Sequence, residues 1–164
     1  MEIKVVQKID KNYYQEFYTE WLEFRSVFKK WEDKIGILCI VIGIMNYIFS
    51  HELFYFAFAF LFFGLFMIYE FYASKKKWMK SRLESNVNNK SFTMIFDDYF
   101  VRSNGPFTEV KSKWDYFQKG IETPKGIFLI PENGISIYLQ KKSFENQTHI
   151  RKIIEKVNEN DFET

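Results

Sequence analysis

Two uncharged runs dominate the hydropathy pattern: "IGILCIVIGIMNYIFS" from Ile35, and "LFYFAFAFLFFGLFMIY" from Leu53 up to Glu70. A helix that crosses the hydrocarbon of a bilayer needs about 20 mostly apolar residues. Each run falls a little short, and flanking aromatics complete it: Trp31 before the first, Phe71 and Tyr72 after the second, all suited to the headgroup level. Read as one continuous helix, the pair would extend about 60 Å, twice the apolar thickness. Ser50, His51 and Glu52 are therefore expected to form the turn of a two-helix transmembrane hairpin over 31–73. Asn46 and Glu70 lie close enough to the ends of the spans to reach interfacial water, and Cys39 reads as a small apolar residue.

On either side the pattern changes. "EIKVVQKI" alternates Ile3, Val5 and Gln7 against Lys4, Val6 and Lys8, the period of a strand. "DKNYYQEFYTEWLEFRSVFKKWEDK" then predicts one amphipathic helix. Tyr14, Phe17, Tyr18, Trp21, Phe24, Phe28 and Trp31 recur at three- and four-residue steps, with Asp10 as N-cap. Glu16, Glu20 and Glu23 fall on the other side, an exposed acidic face available to a basic partner. The aromatic stripe is expected to pack on the domain that follows the spans.

That domain begins near Ser91, where the period returns to two. "SFTMIF", "YFVRS", "FTEVKSKW", "QKGIE", "IFLI" and "ISIYL" read as short antiparallel strands, punctuated by Asp97 and Asp98, by Asn104 to Pro106, and by the Pro124–Gly126 and Pro131–Gly134 turns. An amphipathic helix from about Ser143 closes the chain, with Phe144, Ile150, Ile153, Ile154 and Val157 as its apolar stripe. A lone N-terminal strand cannot stand alone, so it is expected to join this sheet, making about seven strands.

Charge refines the picture. The net charge of +2 over 164 residues disfavours a nucleic-acid reader. Arg25, Lys29, Lys30 and Lys34 precede the first span, and Lys75, Lys76, Lys77, Lys80 and Arg82 follow the second; the turn between has none. By the positive-inside rule both termini are cytoplasmic, at the cell membrane, and the polar N-terminus argues against a cleaved signal peptide. Trp31 with Lys75, Lys76, Lys77, Lys80 and Arg82 forms the expected lipid-facing set, each basic residue contributing about 1 kcal/mol beside anionic lipid. His51 and His149 fall on opposite sides of the membrane in this topology, so no two-histidine metal site or His-based acid–base pair is expected. Asp97 and Asp98 read as turn residues, and neither "SNGPF" nor "PENG" is a phosphate-cradling loop. The expectation is a protein without catalytic residues, metal or cofactor.

The stretch "FTMIFDDYFVRSNGPFTEVKSKWDYFQKGIETPKGIFLIPENGISIYLQKKSF" resembles the C-terminal domain of YcxB-like bacterial membrane proteins, through the approach to Trp114, the Ile130–Pro131 step and the "KKSF" of Lys141 to Phe144. The arrangement ahead of it is also similar: a short strand, a juxtamembrane helix and two adjacent spans. Pro131 departs from the pattern, the family's proline being expected nearer the final "K-x-F" segment. The resemblance implies an α+β membrane protein, in which a two-helix hairpin is inserted into a PH-like antiparallel β-barrel or sheet capped by a C-terminal helix. The domains would be a strand and aromatic helix over 1–30, the hairpin over 31–73, a basic juxtamembrane segment over 74–90, the PH-like domain over 91–158 and a tail over 159–164. The function it implies is a non-catalytic cytoplasmic module that recognises a protein or a lipid headgroup. The alternative is a bacterial immunity protein that neutralises a toxin. Partners would be the bilayer and a protein, either a toxin or a membrane complex.

Overall fold

The computed structural model describes residues 2–49 and 54–159. The expected turn at Ser50, His51 and Glu52 and most of the 159–164 tail lie outside them. The chain divides into two compact units: Met1–Glu20 together with Arg82–Thr164, and Trp21–Ser81.

The first unit is α+β. Its strands are β1 (Ile3–Ile9), β2 (Lys90–Phe96), β3 (Phe100–Asn104), β4 (Glu109–Lys113), β5 (Phe117–Glu122), β6 (Gly126–Pro131) and β7 (Ile137–Gln140). They form two antiparallel sheets, β1-β2-β3-β4 and β5-β6-β7, which among the described residues do not close into a barrel. The N-terminal strand does join the later sheet: β1 pairs with β2 along its whole length, from Ile3 opposite Phe96 to Ile9 opposite Lys90. Ile3, Val5 and Gln7 point inward as the alternation requires. Pro131 ends β6 opposite Phe117, at the last rung of that ladder, where a missing N–H does least harm.

The core lies between the sheets: Ile3, Val5, Met94, Phe96, Val101, Phe117, Ile127, Leu129 and Leu139 meet Ile150, Ile153 and Val157 of the helix α4 (Gln147–Glu159). Two amide side chains close gaps that backbone ladders leave open. Gln7 is 3% exposed; its Nε2 donates to Tyr138 O at 2.8 Å and its Oε1 accepts from Gln140 N at 3.1 Å, bridging β1 to β7. Asn158 does the same at the outer edge of β5, accepting from Gly120 N at 2.8 Å and donating to Gly120 O at 3.3 Å. Each side chain stands in for a peptide group of a neighbouring strand. Trp114 sits in a turn over Trp114–Tyr116 that carries the chain from one sheet to the other. Its Nε1 donates to Asp97 O at 3.0 Å, Phe96 packs on its ring, and Lys156 lies 4.7 Å from the ring centre.

The helix α1 (Lys11–Phe24) starts as expected, with Asp10 Oδ1 accepting from Tyr13 N at 2.9 Å. It stops short of the expected end. Arg25 and Ser26 both bond back to Trp21 O, and Ser26 Oγ accepts from Lys29 N at the start of a new turn at Lys29–Trp31. The aromatic stripe is thereby broken into two, and Val27 and Phe28 between the pieces are exposed, Phe28 at 84%.

In the second unit α2 covers Glu32–Phe49 and α3 begins at Phe54, running to Leu83. Among the described residues only α3 is long and apolar enough to cross a membrane. The expected pair of spans is thus not met by length and charge: α2 has 18 residues, and Glu32, Asp33 and Lys34 in its first turn leave about 22 Å of apolar helix. The expected juxtamembrane segment is likewise not separate, because residues 74–83 are the last turns of α3. The two helices meet through small residues. A Cβ built on Gly64 would come within 2.5 Å of Gly36 O and 2.7 Å of Ile40 Cγ1, and one on Gly43 within 2.9 Å of Ala57 O. Gly36 faces Gly64 and Gly43 faces Ala57, one pair per two helical turns, so the helices run antiparallel with backbones in contact. Asn46 bonds Ile42 O within its own helix.

Candidate functional site

The first unit contains a groove of about 230 Å³ where the four-stranded sheet diverges from the other. Register builds one wall. Met94 lies opposite Ser103, Ser103 opposite Val110, and Val101 opposite Ser112, so these five side chains share the inner face of β2, β3 and β4. Tyr116 and Phe117 of the sheet-to-sheet crossover form the floor. The other wall comes from the β6–β7 connection, where Pro131 O accepts from Gly134 N and Gly134 takes φ +76, a conformation that favours glycine. Asn133 Oδ1 then accepts from Ile135 N, leaving Ile135 73% exposed at the mouth, with Val110 at 49%.

The lining is apolar in depth and carries hydroxyls and an amide nearer the surface. The lining holds no histidine, carboxylate, lysine, arginine or cysteine. The Ser103, Ser112 and Tyr116 hydroxyls have no protein hydrogen-bond partner among the described residues. Such a surface suits apolar groups and offers hydrogen bonds. No family profile, curated protein or solved structure matches this chain. The groove is read from its own chemistry.

The expected acidic face on α1 is not there. Glu16 and Glu20 turn toward the three-stranded sheet: Tyr138 OH donates to Glu16 Oε1 at 2.8 Å, and Lys125 N lies 3.3 Å from Glu20 Oε2, with Glu20 only 4% exposed. Only Glu23 is exposed. The reason is geometric. Tyr13 and Phe17 stack on Tyr138 and Phe128, and residues one turn on from them are carried down to the same sheet. Of the stripe, Phe17 packs on the three-stranded sheet, and the acids pack beside it. Burial first, and then the bond to Glu16, push the Tyr138 phenol well above its ordinary value; burial, then Tyr14, does the same to Tyr13.

Lys75, Lys76, Lys77, Lys80 and Arg82 are exposed on the last turns of α3. Trp31 is half-exposed ahead of α2, with Lys34 4.4 Å from its ring centre. Asp97 is a turn residue: its Oδ1 accepts from Tyr99 N and Phe100 N, and its Oδ2 pairs with Arg102 at 3.0 Å. Bonds from Phe100 N and Tyr99 N, more than Arg102, hold its carboxyl below the usual range. His149 lies in α4, and His51 falls outside the described residues.

Sequence reasoning had "FTEVKSKW" as a strand, whose alternation puts Val110 and Ser112 on one side, and so had part of the groove. It missed Ile135, Asn133 and Tyr116. Reading "ISIYL" as a strand from Ile135 hid the fact that β7 starts at Ile137; the "PENG" breaker just before was the available signal.

Proposed function

We propose that this protein is a bilayer-anchored binding protein without catalytic chemistry: α2 and α3 cross the membrane as an antiparallel pair, and the two-sheet unit is a PH-like recognition module on the cytoplasmic side. One observation carries the anchor. The faces of α2 and α3 turned away from their shared seam are coated with large apolar side chains, among them Leu38, Ile48, Phe56, Phe62 and Leu65, each more than half exposed. A water-soluble surface does not carry so large a contiguous apolar patch. Glycine and alanine stand at the closest approaches of the seam, as suits helices that associate in lipid, where apolar surface alone gives no drive to associate.

The short apolar length of α2 is compatible with a span. Lys34 can snorkel, Trp31 can sit at the headgroups, and a mismatch of this size costs fractions of a kcal/mol per Å (about 0.1–0.5). Basic residues before α2 and at the end of α3 support a cytoplasmic location for both ends. The immunity reading is not retained, because Glu16 and Glu20, which were to engage a basic toxin, are engaged internally.

The test is membrane extraction of the untagged protein. Resistance to alkaline carbonate with release by detergent is the expected result. In a Cys39→Ser background, a cysteine introduced at position 51 should label from the far side only, and one at Lys119 from the cytoplasmic side only. A chain that is freely soluble and monomeric without detergent would refute the anchor.

A further inference from the structure

Two sheets have four edges, and three of them are engaged. The outer edges of β1 and β7 face each other across the Gln7 amide, and β5 is closed by Asn158. The edge of β4 has neither a strand nor an amide on it among the described residues. Its hydrogen-bonding direction can be worked out. Gly105 N donates to Thr108 O at 2.8 Å, so that pair is a bonded rung. Rungs alternate in an antiparallel ladder, which makes Ser103–Val110 and Val101–Ser112 the bonded pairs and turns the N–H and C=O of Glu109, Lys111 and Lys113 outward. The Asp97 N to Phe100 O bond gives the same phase from the other side of β3, assigning Arg102 and Asn104 to β2.

We infer that the β4 edge is a strand-addition site for an extended segment of a partner protein, one that alternates apolar residues with acidic ones. An added strand would bond Glu109, Lys111 and Lys113. Its inward side chains would enter the groove beside Val110 and Ser112, under Ile135. Its outward ones would lie along the face that carries Lys111 and Lys113. The charge decides the partner. On that face Lys111 rests over the Phe100 ring at 3.8 Å, Arg102 is paired with Asp97, and Glu109 is the lone acid of the edge strand, so an acidic outward row is favoured over a basic one. Exposed lysines on an edge also deter chance pairing with apolar strands, which leaves the edge selective.

The inference deepens the reading of this unit as a binding module, and its test is separable from that of the anchor. The full chain is incorporated in nanodiscs of zwitterionic lipid, and a fluorescein-labelled octapeptide alternating leucine with glutamate is titrated against it by anisotropy, with empty discs as control. Saturable binding is expected. It should weaken tenfold or more with Lys111→Pro, which removes one outward N–H and leaves the β3 ladder intact, and equally with a peptide N-methylated at alternate residues. The double variant K111E/K113E should shift preference to the leucine–lysine peptide. Unaltered circular dichroism of Lys111→Pro shows that the fold survives. Binding indifferent to both Lys111→Pro and N-methylation overturns the edge assignment, as does failure of the probe to bind. Self-association that Lys111→Pro abolishes, with no peptide bound, overturns it in favour of a second copy. A chain that stays out of the discs refutes the anchor instead, and the same titration then reads the edge in water.

Discussion

Replacing Gln7 tests how the two sheets are held together. Its amide is 3% exposed and makes two bonds, from Nε2 to Tyr138 O and from Gln140 N to Oε1. Gln7→Leu keeps most of the volume and removes both. Tyr138 O retains a longer bond from Tyr13 OH at 3.3 Å, so the cost falls mainly on Gln140 N, a buried donor left without a partner. An orphaned buried group costs about 1–3 kcal/mol, and with a smaller part for Tyr138 O the total is about 2–3 kcal/mol. That is a large fraction of the roughly 5–15 kcal/mol by which a domain is stable. Gln7→Glu separates hydrogen bonding from packing. A protonated glutamic acid is nearly isosteric with glutamine: it donates to Tyr138 O and accepts from Gln140 N. Ionised, it sets a second oxygen against Tyr138 O in a buried site. Burial raises its pKa above the unfolded value of about 4.3, so the variant's stability is full below that value and is lost as pH rises through the folded pKa. The assay is denaturant unfolding of the full chain in detergent, followed by tryptophan fluorescence, each variant against wild type at pH 4 and pH 7. The expected result is Q7L weakened equally at both, and Q7E weakened at pH 7 and close to wild type at pH 4. A Q7L stability within about 0.5 kcal/mol of wild type, or a Q7E stability independent of pH, would show that the Gln7 amide does not hold the sheets together.

At the helix seam, Gly64→Val drives a side chain into Gly36 O and Ile40 N, both backbone atoms that cannot step aside. It should cost about 1–3 kcal/mol in detergent thermal unfolding, while Leu65→Val, on the exposed face, changes little. Tyr138→Phe leaves Glu16 without its phenol and should cost about 1–3 kcal/mol. Because the Tyr138 pKa is raised on folding, its contribution is complete below the ordinary phenol value and lost as pH rises through the folded one, so a difference in stability between wild type and Y138F should shrink in alkali. The tyrosinate absorbance of the native protein should show the same delayed titration. Asp97→Ala should loosen the β2–β3 turn, seen as faster amide exchange at Tyr99 and Phe100. Since the Asp97 pKa is lowered, the wild-type advantage is present above the usual carboxyl range and disappears as pH falls through the folded value.

Much of the β structure was legible because its signal is local. Alternation in "EIKVVQKI" and "SFTMIF" fixes which side chains face inward whatever partner each strand finds, and the structure keeps both phases. The apolar stripe of α4 was legible for the same reason, with Ile150, Ile153 and Val157 in the core. The break in the N-terminal helix was not. A recurrence every three or four residues runs on through Phe24, Phe28 and Trp31, while the helix ends on backbone bonds from Arg25 and Ser26 to Trp21 O, and the Ser26 side chain bonds into the turn that follows. The fate of Glu16 and Glu20 was invisible in principle. Their position on α1 is local, but the groups that receive them, Tyr138 OH and Lys125 N, are more than a hundred residues away.

The groove and the open edge belong to that second kind of information, and a sequence reading has a way to approach them. Gln7 occupied an inward position where alternation calls for an apolar residue. A polar residue at such a place either has a partner or weakens the fold, so its presence signals a seam rather than a continuous sheet. Asn158 stands one residue beyond the buried Val157, on the turn of α4 next to β5, and carries the same signal. No comparable amide lies along "FTEVKSKW". A chain that engages three of its four edges through two amide side chains and furnishes the last with lysines treats that edge differently. That difference is what the proposed strand addition accounts for.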